Sequence, residues 1–290
     1  MTVADQKFDH RLLRDHAFGI VTPASIVELP PGITVNPLVP RDLAASAHLM
    51  PGLIDLRTLP QDQADALLDS LHLAHVSGTQ PSVQMLLATN TDIDSIAAHW
   101  NARQLVSPQS GAKSWFRLHD SRVLHQVLRI LAPNQRAALF GPVQAMTYWV
   151  SSMWMRADAS GQTAELSSGQ MLPAARQWDW DRIGHIGVIN RALQGSGVAA
   201  KDLHRQGTAV EQLIARARLL HGLNDKGDLV EFATRGLTAG PTFDMHPQVA
   251  AAIRLDGKDD DSALADRLAL IDAEVWRELR RGALATQAFD

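Results

Sequence analysis

The hydrophobic pattern changes period at Asp120, and that change constrains the fold more than any other feature of the chain. Trp115 to His119 alternates, with Phe116 and Leu118 on one face and Trp115, Arg117 and His119 on the other, as a half-buried strand does. From Val123 the period is helical: Val123, Leu124, Val127, Leu128 and Leu131 share a stripe, and Asp120 is placed to cap that helix by accepting a backbone N–H. Pro133 ends the helix, because a proline drives the preceding residue out of the α region, and Asn134 to Phe140 makes a further short helix. Gly141-Pro142 then stops the chain again. Val143 to Arg156, with Thr147, Tyr148, Trp149, Val150 and Trp154, reads as strand. Ser114 to Trp149 is therefore expected to supply the central strand and the crossover of a small sheet flanked by helices.

Upstream, the same alternation recurs. Leu49 to Leu56 is a short strand, Gln61 to Val76 a helix stopped by Gly78, Ser82 to Ala88 a buried strand, and Thr91 or Asp92 caps a helix through Trp100. Met1 to Pro40 is dense in proline and glycine, and its apolar residues suggest edge strands or an ordered loop. Beyond Ala157 to Gln170, where Ser160-Gly161 is a candidate hairpin turn, the pattern becomes helical to the end. Helices are expected from Trp180, from a Thr208 cap, from an Asp228 cap, after Met245-His246-Pro247, and from Ser262 to a stop at Gly282. At 290 residues two lobes are the natural reading. The expected class is α+β: an irregular segment over 1–40, a mixed α/β lobe over 41–172 with a sheet flanked by helices, and an all-helical lobe over 173–290.

Composition narrows the function. A formal net charge of -4 lacks the basic excess that a phosphate backbone demands, so no nucleic acid partner is expected. The absence of cysteine excludes disulfides and thiolate metal sites. The polar start, MTVADQKFDHRLLRDH, has no signal-peptide core and no apolar run reaches about 20 residues, so a cytoplasmic protein without a membrane partner is expected.

Sites that carry chemistry are sparse. His72 and His75 lie three apart on one helix without a third ligand in reach of the pattern, so no metal is expected. His119-Asp120 has neither a Gly-x-Ser-x-Gly elbow nor a cysteine to activate, and neighbours in a strand point to opposite faces, so no catalytic residue is assigned. Gly195-Ser196-Gly197 lacks the third glycine of a dinucleotide loop, and Lys258 to Asp261 lacks the glycine and glutamate of a calcium loop, so no cofactor is expected. Arg117, Asp120 and Arg122 admit two uses, a docking cluster or a cap with its ion pair. Trp149, Trp154, Trp178 and Trp180 likewise suit a partner-binding surface or packing in a core.

One stretch resembles a known family. Phe116-Arg117-x-x-Asp120-x-Arg122-Val123-Leu124, Leu128 to Leu131 and Phe140-Gly141-Pro142-Val143 resemble the signature of the type VI secretion adaptors, the Tap or TEC effector chaperones. Ser121 stands where that family usually has proline. His221-Gly222-Leu223, Asp228 to Phe232, Gly240-Pro241-x-Phe243 and Trp276 resemble its helical C-terminal lobe. The resemblance implies a non-catalytic adaptor that binds a toxin effector and loads it onto the VgrG spike. The alternatives are a small cytoplasmic hydrolase using the His119 region, or a structural spike or baseplate component.

Overall fold

Three strands, β2 (Phe18–Val21), β5 (Val83–Ala88) and β8 (Ala145–Val150), are buried along their whole length, and they form the interior of one sheet. The outer strands are β1 (Val3–Asp5), β3 (Asn36–Pro37), β4 (Gly52–Asp55) and β9 (Met153–Asp158), in the order β1-β9-β8-β5-β2-β4-β3. A separate pair joins β6 (Leu105–Val106) to β7 (Ser114–Trp115). The computed structural model describes residues 3–5, 8–9, 11–106, 114–159, 177–254 and 262–287, and it divides into two compact units, Met1–Asp181 and Arg182–Asp290. The architecture is α+β, with the sheet in the first unit and helices in the second.

Every pairing in the seven-stranded sheet is antiparallel, so no parallel crossover is needed. The sheet is covered on both faces. Trp149 and Trp154 pack with Leu67 and Leu71 of α1 (Gln61–Ser77) and with Leu86 of β5, while Tyr148, the preceding residue of β8, meets His125 on the other side. Each of these large apolar side chains contributes about 1.5–3 kcal/mol by leaving water. A buried histidine also stitches the layers: His16 donates through Nδ1 to the Leu12 carbonyl at 2.6 Å, which leaves Nε2 to accept from Thr147 at 2.8 Å.

The local signals place α2 (Ile93–Arg103), capped by Asp92, and α3 (Ser121–Ile130), capped by Asp120. α4 (Pro133–Phe140) starts one residue earlier than expected, with its proline in the first turn, and α1 stops at Gly78 in the left-handed conformation.

Several expectations are corrected. Met1 to Pro40 is not an irregular appendage, because β2 inside it lies between β4 and β5. The strand expected over Trp115 to His119 is not in the main sheet: only Ser114–Trp115 is extended there, and it pairs with β6, so the interior strand that Ser114 to Trp149 supplies is β8. Val143 to Arg156 is not one strand but the β8–β9 hairpin, turned at Ser151-Ser152 with φ of 47° and 65°, the two-residue turn whose twist suits paired strands. In the second unit two caps are misplaced. α7 (Leu203–His221) runs through Thr208, and α8 (Lys226–Ala239) is capped by Asp225, which accepts from the amides of Gly227 and Asp228. The Ser160-Gly161 turn and the Lys258 to Asp261 turn lie outside the described residues.

The second unit begins within α5 (Gln177–Gly184) and continues through α6 (Ile186–Gly195), α7 and α8 to α9 (Pro247–Ile253), α10 (Leu264–Ala269) and α11 (Ala273–Gln287). The last predicted helix is thus two helices, and Gly282 lies inside α11 rather than stopping it. Asp228 does cap a helix, but a different one: its carboxylate accepts the Leu264 amide at the start of α10. Phe232, Phe243 and Trp276 form the aromatic centre of this unit, and Arg235 lies over the Trp276 ring at 4.6 Å.

Candidate functional site

Arg117, Asp120 and Arg122 of the signature converge on a pocket of about 290 Å³ whose walls come mainly from four places in the first unit. The loop into α3 brings Arg117, His119 and Asp120, β5 brings Gln84, the end of α1 brings Gly78, and the β8–β9 hairpin brings Trp149 and Ser152. The loop is held by its own chemistry. The Phe116 amide donates to the Gln104 carbonyl at 2.7 Å, Phe116 and Leu118 are buried, and the Asp120 amide closes a turn onto Arg117. Ser152 Oγ donates to the Gly78 carbonyl at 3.0 Å and so fixes the hairpin tip to the end of α1.

Asp120 is fully occupied. Its Oδ1 accepts the Arg122 amide and Nε, each at 3.0 Å, and its Oδ2 accepts the Arg122 terminal nitrogen at 2.8 Å. Burial alone would raise this carboxyl, but the hydrogen bonds and charge of Arg122 outweigh it and hold the group below the usual carboxylate range. Asp120 therefore acts as cap and counter-ion and does not orient His119. Arg117, exposed like Arg122 but outside that ion pair, lies 5.8 Å above the Trp115 ring.

His119 stacks on Trp115 at 5.6 Å, is 7% exposed, and is pushed down to about 4 by burial, so its ring is neutral at pH 7. Gln84, on β5, is 4% exposed. His119 Nδ1 and Gln84 Nε2 are both buried without a hydrogen-bond partner. Two unpaired nitrogens in the walls of one pocket leave it able to accept a hydrogen-bonding group from outside the fold.

Gly141 and Pro142 lie at the far end of α4 and are structural. Gly141 has φ of 52°, the Pro142 carbonyl accepts Thr89 Oγ1 at 2.8 Å, and the next residues lead into β8 through the Gln144 amide and the Ala88 carbonyl. The end of α4 is closed by α2: His99 Nε2 donates to the Leu139 carbonyl at 2.9 Å and Arg103 Nε to the Ala138 carbonyl at 2.9 Å.

Trp149 and Trp154 are buried and meet edge to face at 5.5 Å, which fits the core use of the two set out above; Trp149 also borders the pocket. Trp178 and Trp180 sit on α5, and their side chains lie outside the described residues. His72 and His75 each lie 5.3 Å from the Phe8 ring, a packing contact. The contributions of Gln84 and of the Ser151-Ser152 turn carry no sequence signal, since each reaches the pocket only through tertiary pairing.

What the fold and site define is a sheet-based α+β unit with a capped-helix signature, followed by a helical unit. A family model described as a domain of unknown function, DUF4123, matches residues 39–138. That span runs from before β4 into α4, includes Phe116, Arg117, Asp120 and Arg122, and stops short of Gly141. No curated protein and no solved structure matches the chain. Among the described residues no helix is long and apolar enough to cross a membrane.

Proposed function

We propose that this protein is a non-catalytic cytoplasmic adaptor that binds a type VI secretion toxin effector and loads it onto the VgrG spike. The observation that carries this reading is the DUF4123 match over residues 39–138, since that domain is associated with type VI secretion adaptors. The use of the signature adds support. Asp120 and Arg122 are spent on each other and on the start of α3, as residues of an architectural motif would be, and Arg117 remains exposed beside a polar pocket for a partner to meet. An adaptor of this kind needs about 800 Å² of contact surface on each partner, which two structured units supply more readily than one.

The test is co-purification of the tagged full chain from its native host, followed by mass spectrometry. One spike protein and one toxin are expected in the eluate at near-stoichiometric amounts. Recovery of the protein without either would end this reading.

A further inference from the structure

Along α7 the residues Arg205, Ala209, Leu213 and Arg216 recur at helical spacing and line a groove of about 950 Å³. The eleven helical steps from Arg205 to Arg216 give it a length of about 16 Å. Its other walls are the end of α8 with Gly240 and Pro241, and α11 with Arg280. The groove exists because small residues face it. Gly236 on α8 has no room for a Cβ, which would meet the Leu213 side chain at 2.4 Å, so the two helices approach closely under the floor, and Gly240 turns the chain away with φ of 101°.

The lining has a marked chemistry. Three arginines face the groove, no aspartate or glutamate lines it among the described residues, and this in a chain of net charge -4. Arg216 is held in place: its Nε donates to Asp244, which is 3% exposed and also accepts His221 at 2.8 Å. That pairing leaves the terminal N–H groups of Arg216 for an occupant. Arg205 pairs with Asp202 at 3.3 Å, largely in solvent, a contact worth little to displace. Leu213, Leu237 and Pro241 supply apolar surface between the charges.

We infer that this groove docks an acidic, amphipathic segment of a partner polypeptide, its carboxylates on Arg205, Arg216 and Arg280 and its apolar side chains between them. A polypeptide fits better than a nucleic acid, because Leu213, Leu237 and Pro241 put apolar surface between the charges and, among the described residues, no aromatic ring in the lining offers a base a stacking partner. The inference rests on the adaptor reading only for which protein supplies the segment.

The test uses the full chain and a labelled 14-residue peptide with glutamates on one helical face and leucines on the other, followed by fluorescence anisotropy. The expected result is binding that weakens as salt is raised, with none for the same peptide carrying lysine in place of glutamate. Arg205→Glu/Arg280→Glu should weaken binding at least tenfold. Ala209→Phe, which fills the groove without changing charge, should do the same, and Arg277→Glu, outside the groove, should not. No binding of the acidic peptide, equal binding by a folded Arg205→Glu/Arg280→Glu variant, or tighter binding of a single-stranded oligonucleotide would each overturn the inference. Cargo recovered from the host separates the two proposals. Cargo held equally by wild type and the double variant sinks the groove and leaves the adaptor standing. If wild type recovers no cargo, the adaptor reading fails and the peptide result alone decides the groove.

Discussion

Gly141→Ala should be among the most damaging single changes in the first unit, and its cost has separable parts. Gly141 adopts φ of 52°, where a side chain is strained by about 1–3 kcal/mol. A Cβ there would also fall 2.0 Å from Cε1 and 2.5 Å from Nδ1 of His99. The ring has little freedom to retreat, because its Nε2 donates to the Leu139 carbonyl at 2.9 Å. Moving it adds overpacking of about 1–3 kcal/mol and forfeits a hydrogen bond of about 1 kcal/mol, against less than about 1 kcal/mol regained from a stiffer unfolded chain. The expected net loss is about 3–5 kcal/mol, a large fraction of a domain's stability. Urea unfolding followed by tryptophan fluorescence measures it, since six of the seven tryptophans lie within Met1–Asp181. In a His99→Ala background the clash disappears, and the same substitution should cost only the backbone part, about 1–3 kcal/mol. A loss under about 1 kcal/mol, or an equal loss in both backgrounds, would refute the reasoning.

Three further outcomes follow from the geometry. Asp120→Ala removes the α3 cap and should cost about 1–2 kcal/mol, whereas Arg122→Ala, whose side chain is 62% exposed, should cost under about 1 kcal/mol; the same urea titration ranks them, and the reverse order would contradict the capping role. His99 and His119 are held down to about 4, chiefly by burial, against an ordinary value of 6.5. Between those values the unfolded chain binds more protons than the folded one, so stability falls as pH falls from 6.5 toward 4, by up to about 1.4 kcal/mol per pH unit for each ring. His119→Gln should flatten that slope, and an unchanged slope would remove His119 from the account. Asp244→Ala leaves Arg216 and His221 without their shared carboxylate and should destabilise the second unit by about 3–5 kcal/mol, seen as faster hydrogen exchange at the end of α7 and at Phe243–Met245. Exchange unchanged there would refute it.

How much of this was legible in the sequence depended on whether the signal was local. Asp92, Asp120, Pro133 and Gly78 mark element ends through bonds or dihedrals that they make within a few residues, and each marks one in the structure. β2 was hidden for the opposite reason. Four residues buried on both faces show neither alternation nor helical spacing, and the prolines and glycines after them read as loop. Ser151-Ser152 lacks the asparagine or glycine that flags a two-residue turn. Thr208 and Asp228 have the right chemistry for caps, but α7 already starts at Leu203 and Asp228 is used by the distant Leu264 amide. The pocket was half legible: its loop side lay in the signature, while Gln84 and the hairpin arrive through strand pairing with no local trace.

The arrangement also says where specificity can reside. A residue that caps a helix or occupies a positive φ answers to the fold; Asp120 and Gly141 are of that kind, and Arg122 serves Asp120 as its counter-ion. Such residues look alike in any protein that needs the same turn, so they mark a framework and carry no information about which partner is held. Discrimination between partners has to come from groups the fold does not consume, and differences in affinity arise where such groups meet a complementary or a clashing neighbour. Arg117 with the unpaired nitrogens of Gln84 and His119 meets that condition in the first unit, and the arginine-lined groove along α7 meets it in the second. Partner choice should therefore change with substitutions at the exposed Arg117, Arg205 and Arg280 while the urea midpoint stays nearly fixed, the reverse of what Gly141→Ala does.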